Sequence, residues 1–408
     1  MPAQSPLRAI AEFFASCFKA WDRFWFKPAD PTTLGLMRIF CGLIVLYIHV
    51  AYTFDFQAFF GPHAWIDLKA ANEFRLDAPN AAQPFGWKAI DTERAESAAE
   101  VQYKQKWGVT TEFVRSRGQH RWSIWYHVTD PTWMALTHSA FLGVMVLFTI
   151  GLFTRVTGVL TWIAMLSYIH RAPTVLFGVD TMMNLCVVYL IIGPSGAAFS
   201  MDQWLRRYWA KRRAAREGLP APVFGPPAHQ VSANFALRLL QINVCLVYFI
   251  SGLSKMQGAS WLNGTAVWGV MANYEFSPMR APLYLLVLRI MCEHRWLWEL
   301  VVTSLTFFTL AFEISFIYLI WSRRMRWTMI VAAVLMHLGI AVCMGLVTFS
   351  MMTLVLVLSF VPAPAIRQLL ERFAPRAGTL AFDSAQTNGH SLKPSSGTAG
   401  SFRASTRV

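Results

Sequence analysis

The stretch FALRLLQINVCLVYFISGLSKMQGASWLNG, residues 235–264, decides how this chain is read. Its first part is apolar and long enough to cross a bilayer as a helix. Within it Arg238, Gln241, Cys245, Tyr248, Ser251 and Lys255 recur every three or four residues, which on a helix draws one polar stripe with Asn243 off it. A plain lipid anchor needs neither such a stripe nor a lysine followed at once by a Gly/Trp turn. An ionisable residue in or at the edge of a membrane helix is costly and marks a site.

The rest of the composition agrees with that reading. Of 408 residues, 55% are hydrophobic and only 14% charged, against about 25% charged in soluble domains. Mean hydropathy is +0.40. Several apolar runs reach about 17–22 residues, so the expected fold is all-α, a polytopic transmembrane helical bundle of about eight spans plus interfacial or re-entrant helices. The formal charge of +14 lies in short loops beside the spans, and no groove-reading motif accompanies it, which argues against a nucleic-acid partner and for a membrane-orienting role. The six cysteines, Cys17, Cys41, Cys186, Cys245, Cys292 and Cys343, show no CxxC or CxxH spacing. They read as small buried hydrophobes, and no metal is expected.

Residues 1–33 hold an amphipathic stretch, with Leu7, Ile10, Phe13, Phe14, Phe18, Trp21 and Phe24 on one face, that reads as an interfacial helix ended by Pro28 and Pro31. No cleavable signal is read there; the first span is expected to direct insertion. The membrane domain is placed at 34–362, interrupted by a polar extracytoplasmic insertion at 53–131. Spans are expected near 34–52, 132–153, 157–169, 181–199, 235–255, 297–321, 327–346 and 347–361, with a helix too short to cross at 283–291. Residues 363–408 read as a basic helix and a Ser/Thr/Gly-rich tail. Arginines and lysines at 200–234, 322–326 and 367–376 put those loops and both termini in the cytoplasm of an inner (plasma) membrane protein. By that count His49, His170, Arg171, Asp180, Lys255, Trp261 and Glu299 converge near the outer face.

Lys255 is the first candidate for chemistry. A desolvated lysine is a workable general base, because burial disfavours its charged form; the competing reading is a lysine that snorkels to the headgroups. His170, just past a short helix, is either an anion stabiliser or an interfacial residue bonded to a carbonyl. Asp180 reads more as a helix cap than as an acid, and Trp261 and Gly264 more as turn-shaping residues. Glu313 and His337 fall inside spans six and seven. Glu313 lies about 16 residues, roughly 24 Å, below the outer end of its helix, too deep to share a site with Lys255. It therefore reads as a structural partner of another span, or else as part of a separate proton path. No Walker loop, GxGxxG before a helix, HExxH or GxSxG elbow is present.

Four blocks carry a family resemblance: LGLMRIFCGLIVL (34–46), HRAPTVLFGVDTMMNL (170–185), GPSGAAFSMDQWL (193–205) and LRLLQINVCLVYFISGLSKMQGASWLNGTAV (237–267). Together they resemble the horizontally transferred transmembrane (HTTM) domain, best known from the vitamin K-dependent gamma-carboxylases. The most specific block is SGLSK…W…G; the insertion at 53–131 is unmatched. The resemblance implies that Lys255 stands in the place of the lysine that deprotonates a reduced quinone, vitamin K hydroquinone. Reaction with O2 then makes a stronger base that removes a proton from a peptide glutamate, and CO2 adds. Ser254 stands where many carboxylases have a second lysine, and His170 is matched only loosely because its spacing to the next glycine differs. The larger enzymes also carry a lumenal domain after the spans, where this chain has a short basic helix and a tail.

Taken together, the expected catalytic residues are Lys255 and His170, and the expected substrate-binding residues Arg171, Tyr248, Gln241, Trp261 and Asp180. Membrane lipid, a quinone and a peptide are the expected partners. The activity implied is quinol oxygenation coupled to proton abstraction or carboxylation. The alternatives are a non-enzymatic scaffold or lipid- or peptide-handling protein that retains only the bundle, and, less well supported because no inverted repeat is found, a transporter.

Overall fold

The computed structural model describes residues 6–77, 122–275 and 277–373. Among them there is no strand, only one isolated antiparallel bridge, Ala29 with Gln230. In chain order the helices are α1 Pro6–Phe26, α2 Thr32–Tyr52, α3 Phe56–Phe60, α4 Leu68–Asp77, α5 Pro131–Ile150, α6 Thr154–Arg171, α7 Gly178–Ile192, α8 Met201–Arg216, α9 Val231–Lys255, α10 Ala259–Leu262, α11 Ala266–Met271, α12 Pro282–Glu293, α13 Arg295–Leu319, α14 Arg326–Met344, α15 Val347–Val357 and α16 Ala363–Phe373. The chain divides into two compact units, Met1–Ala363 and Pro364–Val408.

Among the described residues five helices, α2, α5, α9, α13 and α14, are long and apolar enough to cross a membrane, or six if the bent pair at 347–360 and 363–372 counts as one span. The expected count of about eight is not reached on that measure. The segments read as spans three, four and eight form helices of 18, 15 and 11 residues. The first has Arg155 and His170–Arg171 at its ends, and the third is cut short at a 3-10 turn, Leu358–Phe360. The apolar piece at 283–291 is helix α12, 12 residues long, as its length predicts.

Local chemistry sets the boundaries. The side chain of Asp130 accepts from the N–H groups of Thr132 and Trp133, with Pro131 in the first turn, so α5 starts there. It stops at Gly151, whose φ of 75° suits glycine. Helix α2 lies along α5, α5 along α6, α6 along α7, α9 along α13 and α14 along α15. Their shared core includes Leu34, Met37, Cys41, Met183, Cys186, Leu240, Val244, Phe316 and Met352. Outside it the long helices present large apolar side chains: Leu43 and Tyr47, Leu246 and Ile250, Phe307 and Phe308, Val334 and Leu338 are all exposed. Polar groups inward and apolar groups outward is the arrangement a lipid solvent selects.

Helices α9 and α13 are staggered. Gly264 approaches Thr303 and Phe307, and the Val267 N–H donates to Thr306 Oγ1. Residues 256–275 and 277–293 thus fold alongside the first half of α13, beyond the end of α9, over a small core of Met271, Leu288, Met291 and Val302. The ends of the insertion join the main core through Phe56, Phe60 and Trp125; residues 78–121 lie outside the described residues.

Candidate functional site

The polar stripe read from 235–264 does face inward: Gln241, Cys245 and Tyr248 are buried on α9. Its last residue, Lys255, is not a lone amine. Lys255 Nζ donates to Glu313 Oε1 and Oε2, both at 2.8 Å, and to Ser251 Oγ at 2.6 Å. This corrects the expectation that Glu313 lies too deep to share a site with Lys255. That expectation assumed that both helices end in one plane. Because α13 continues past the end of α9 by roughly 18 residues, about 27 Å, a residue far from the start of α13 meets the last turn of α9. Glu299, expected at the depth of Lys255, is instead about four turns away along α13 and pairs with Arg295.

Gly252 makes the approach possible. A β-carbon there would lie 2.9 Å from Ile314 Cγ1 and 3.2 Å from Glu313 Cβ. The Glu313 side chain is 6% exposed and that of Lys255 25%, so the carboxylate is enclosed while one flank of the amine is open. Trp261 covers part of that flank, its ring centroid 5.5 Å from Nζ. Two turns down α9 from Lys255, Tyr248 Oη and His337 Nε2 are joined by a 2.9 Å hydrogen bond. Phe312 and Phe316 flank the Tyr248 ring. His337 Nδ1 is buried with no hydrogen-bond partner among the described residues. Lys255, Ser251, Glu313, Tyr248, His337 and Trp261 thus form one cluster across the α9, α13 and α14 interfaces.

The other sequence-predicted residues lie elsewhere. Arg171 is fully buried and donates to the carbonyls of Gly61 (2.6 Å) and Ile66 (3.0 Å), holding the loop after α3. His170 Nδ1 is 2.7 Å from the Trp122 carbonyl oxygen, which leaves it bonded to a backbone carbonyl, one of the two readings of the sequence. Asp180 accepts from the Phe177 N–H at the start of α7. Gln241 accepts from Arg238 and donates to the Ser359 carbonyl at the far end of the stripe. Among the described residues, no hydrogen bond or ion pair joins any of these four to Lys255.

A second inward cluster brings together His49 and Asp180, both expected at one depth, with His138 and Tyr168, whose contact was not expected. His138 is bonded through Nδ1 to Tyr168 Oη (2.7 Å) and through Nε2 to Thr53 Oγ1 (2.9 Å). The His49 ring stacks edge-on to Tyr168. Beside it an enclosed cavity of about 10 Å³ is lined by His49, Tyr52, Tyr168 and Asp180 among others, about room for one water. Histidines at sequence distances of about 90 residues give no periodic signal. Glu313, in contrast, carried one: a carboxylate in the middle of an apolar helix requires a cation, and Lys255 is the lysine the spans contain.

No group of three or more metal-ligating side chains occurs among the described residues. Compared with models of protein families, with curated proteins and with solved structures, the chain matches none.

Proposed function

We propose that this chain is an inner-membrane protein of the HTTM type, with both termini cytoplasmic, in which the Lys255–Glu313 pair takes up a proton from a lipophilic, hydroxyl-bearing substrate. The resemblance points to a reduced quinone as that substrate, with O2 as oxidant and CO2 as the group added. The observation that carries the reading is an ammonium held by a buried carboxylate with one flank open beneath an aromatic ring. Such a pair is not a resting free base. Lys255 becomes one by passing a proton to Glu313: an Nζ–H bond breaks, an Oε–H bond forms, and both partners become neutral. The amine lone pair then accepts the substrate's hydroxyl proton, and the resulting ammonium lies beside the oxyanion that forms. A low-dielectric surrounding favours the neutral form of the pair more than water does, and the amine also donates to Ser251 Oγ.

The test uses the full chain in lipid nanodiscs with vitamin K-type hydroquinone, oxygen and bicarbonate, and epoxide as readout. Epoxide formation by the wild type, lost in Lys255→Ala and shifted in pH profile in Glu313→Gln, is the expected outcome. Absence of epoxide from well-folded wild type, or equal rates in Lys255→Ala, removes the enzymatic reading.

A second reading rests on the saturation of the pair. With three acceptor atoms on Nζ, the contact also suits a structural clamp between two spans in a scaffold or lipid- or peptide-handling protein. That reading expects replacement of both charges by apolar residues to leave function untouched.

A further inference from the structure

At the basic end of the bundle, away from the Lys255 cluster, a groove of about 840 Å³ opens between the start of α6, the turn at 193–197 and α8. Its walls are apolar, with Leu152, Val156, Leu190 and Trp209 among them, and its cations are Arg155 and Arg206. Phe153, Val156 and Trp209 are 69%, 62% and 55% exposed, so part of its apolar lining is open to the surroundings. The one carboxylate lining it is already committed. Asp202 accepts from the Phe153 and Thr154 N–H groups and from Thr154 Oγ1, at 2.8–3.0 Å. Arg206 spends only its Nε, on the Asp202 carbonyl, and Arg155 has no ion pair or hydrogen bond among the described residues; both are exposed.

Helix α8 places the groove at a particular depth. MDQWLRRYWAKRRAAR alternates exposed aromatics, Trp204, Tyr208 and Trp209, with Arg206, Arg207, Lys211, Arg212, Arg213 and Arg216. That pattern belongs to a helix lying in the headgroup region, with rings at the interface and cations toward phosphate. The terminal nitrogens of Arg206 make no hydrogen bond among the described residues, although the Asp202 carboxylate lies near enough to sense its charge. An exposed apolar slot with the guanidinium groups of Arg155 and Arg206 complements one kind of molecule: an acyl chain carrying a phosphodiester. Guanidinium groups bind phosphate oxygens bidentately and need no deprotonation equilibrium to do so. The surplus of positive charge along α8 disfavours a headgroup with its own ammonium.

We propose that this groove binds an anionic phospholipid, the phosphate between Arg155 and Arg206 and one acyl chain along Val156, Leu190 and Trp209. The site is independent of any chemistry at Lys255. It is tested with the full chain purified in detergent, by native mass spectrometry of retained phosphatidylglycerol against phosphatidylcholine. Wild type retains phosphatidylglycerol in preference by about tenfold or more, the scale of two arginines near an anionic headgroup. The double variant Arg155→Gln/Arg206→Gln loses that preference. Arg212→Gln/Arg216→Gln, on the same helix but off the groove, keeps it, and glycerol phosphate does not displace the lipid. Equal retention of the two lipids by wild type overturns the proposal. So does equal loss in both double variants, which reduces the effect to diffuse surface charge, and so does displacement by glycerol phosphate, which makes the groove a site for a soluble phosphate.

Discussion

The C-terminal turn of α9, where it meets α13, and the irregular turns that Arg38 and Arg171 serve hold inward-facing cations in different ways. In the seam, Lys255 meets a carboxylate. In the irregular turns, Arg38 donates to the carbonyls of Ser195 (2.8 Å) and Phe199 (2.6 Å), and Arg171 to those of Gly61 and Ile66. The difference follows from which acceptors the backbone leaves over. Around Lys255 the carbonyls of Gly252, Ser254 and Lys255 are already taken by the N–H groups of Met256, Gln257 and Gly258, so the amine meets a carboxylate and a hydroxyl instead. In the irregular turns at 61–66 and 195–199 carbonyls keep acceptor capacity and are costly to bury, so a guanidinium with a planar fork serves two at once. A charge pair can therefore be removed as a unit, whereas such an arginine cannot be removed without orphaning backbone.

The sharpest break of that contrast is in the seam. Glu313→Gln leaves the ammonium without its counter-charge and should cost about 3–5 kcal/mol, while Lys255→Met/Glu313→Leu should return stability to near wild type or above it. Unfolding in detergent measures both; equal losses in single and double variants would show that the pair is not the unit. In the irregular turns the opposite is expected. Arg38→Met should lose about 2–3 kcal/mol through two charge-assisted bonds, and Arg38→Lys should recover only part of it, because a point charge does not span both carbonyls. Full rescue by lysine would contradict the account of the turns.

Smaller effects sharpen the same picture. Gly252→Ala drives a methyl against Ile314 and Glu313 and should cost about 1–2 kcal/mol by overpacking, with the seam opened enough to alter any pH profile that depends on Lys255. A neutral effect of that methyl would mean the helices are free to part. The smallest effect is at Asp202. Burial pushes its carboxyl up, but the N–H groups of Thr154 and Phe153, the Thr154 hydroxyl and the charge of Arg206 outweigh that and hold it below the ordinary 3.8. A depressed value means that the ionised form stabilises the fold. That contribution is complete above the ordinary carboxylate pKa and is lost as pH falls through the lowered one. Asp202→Asn should flatten the acid limb of the stability curve and change little at neutral pH; an unaltered acid limb would remove Asp202 from the account.

Much of the fold could be read without coordinates. Apolar run lengths and the stripe on α9 are one-dimensional patterns, and each helix forms close to where its pattern places it. Depth could not be read. Span three carries its charges at its tips, span eight ends in a 3-10 turn, and the chain after Lys255 folds back along α13, so counting residues from a helix end misjudged where Glu313 sits. The family resemblance singled out Lys255 but said nothing of its partner.

By itself the sequence determined that this is a bundle of apolar helices with one inward polar stripe ending in a lysine, because periodicity and hydropathy are local properties that any helix must express. Only the tertiary structure decided what that lysine touches. The stagger of α9 against α13 depends on the close approach at Gly252 and on the short helices that fill the space beyond it, and no local pattern encodes the register between two helices 58 residues apart at their point of contact.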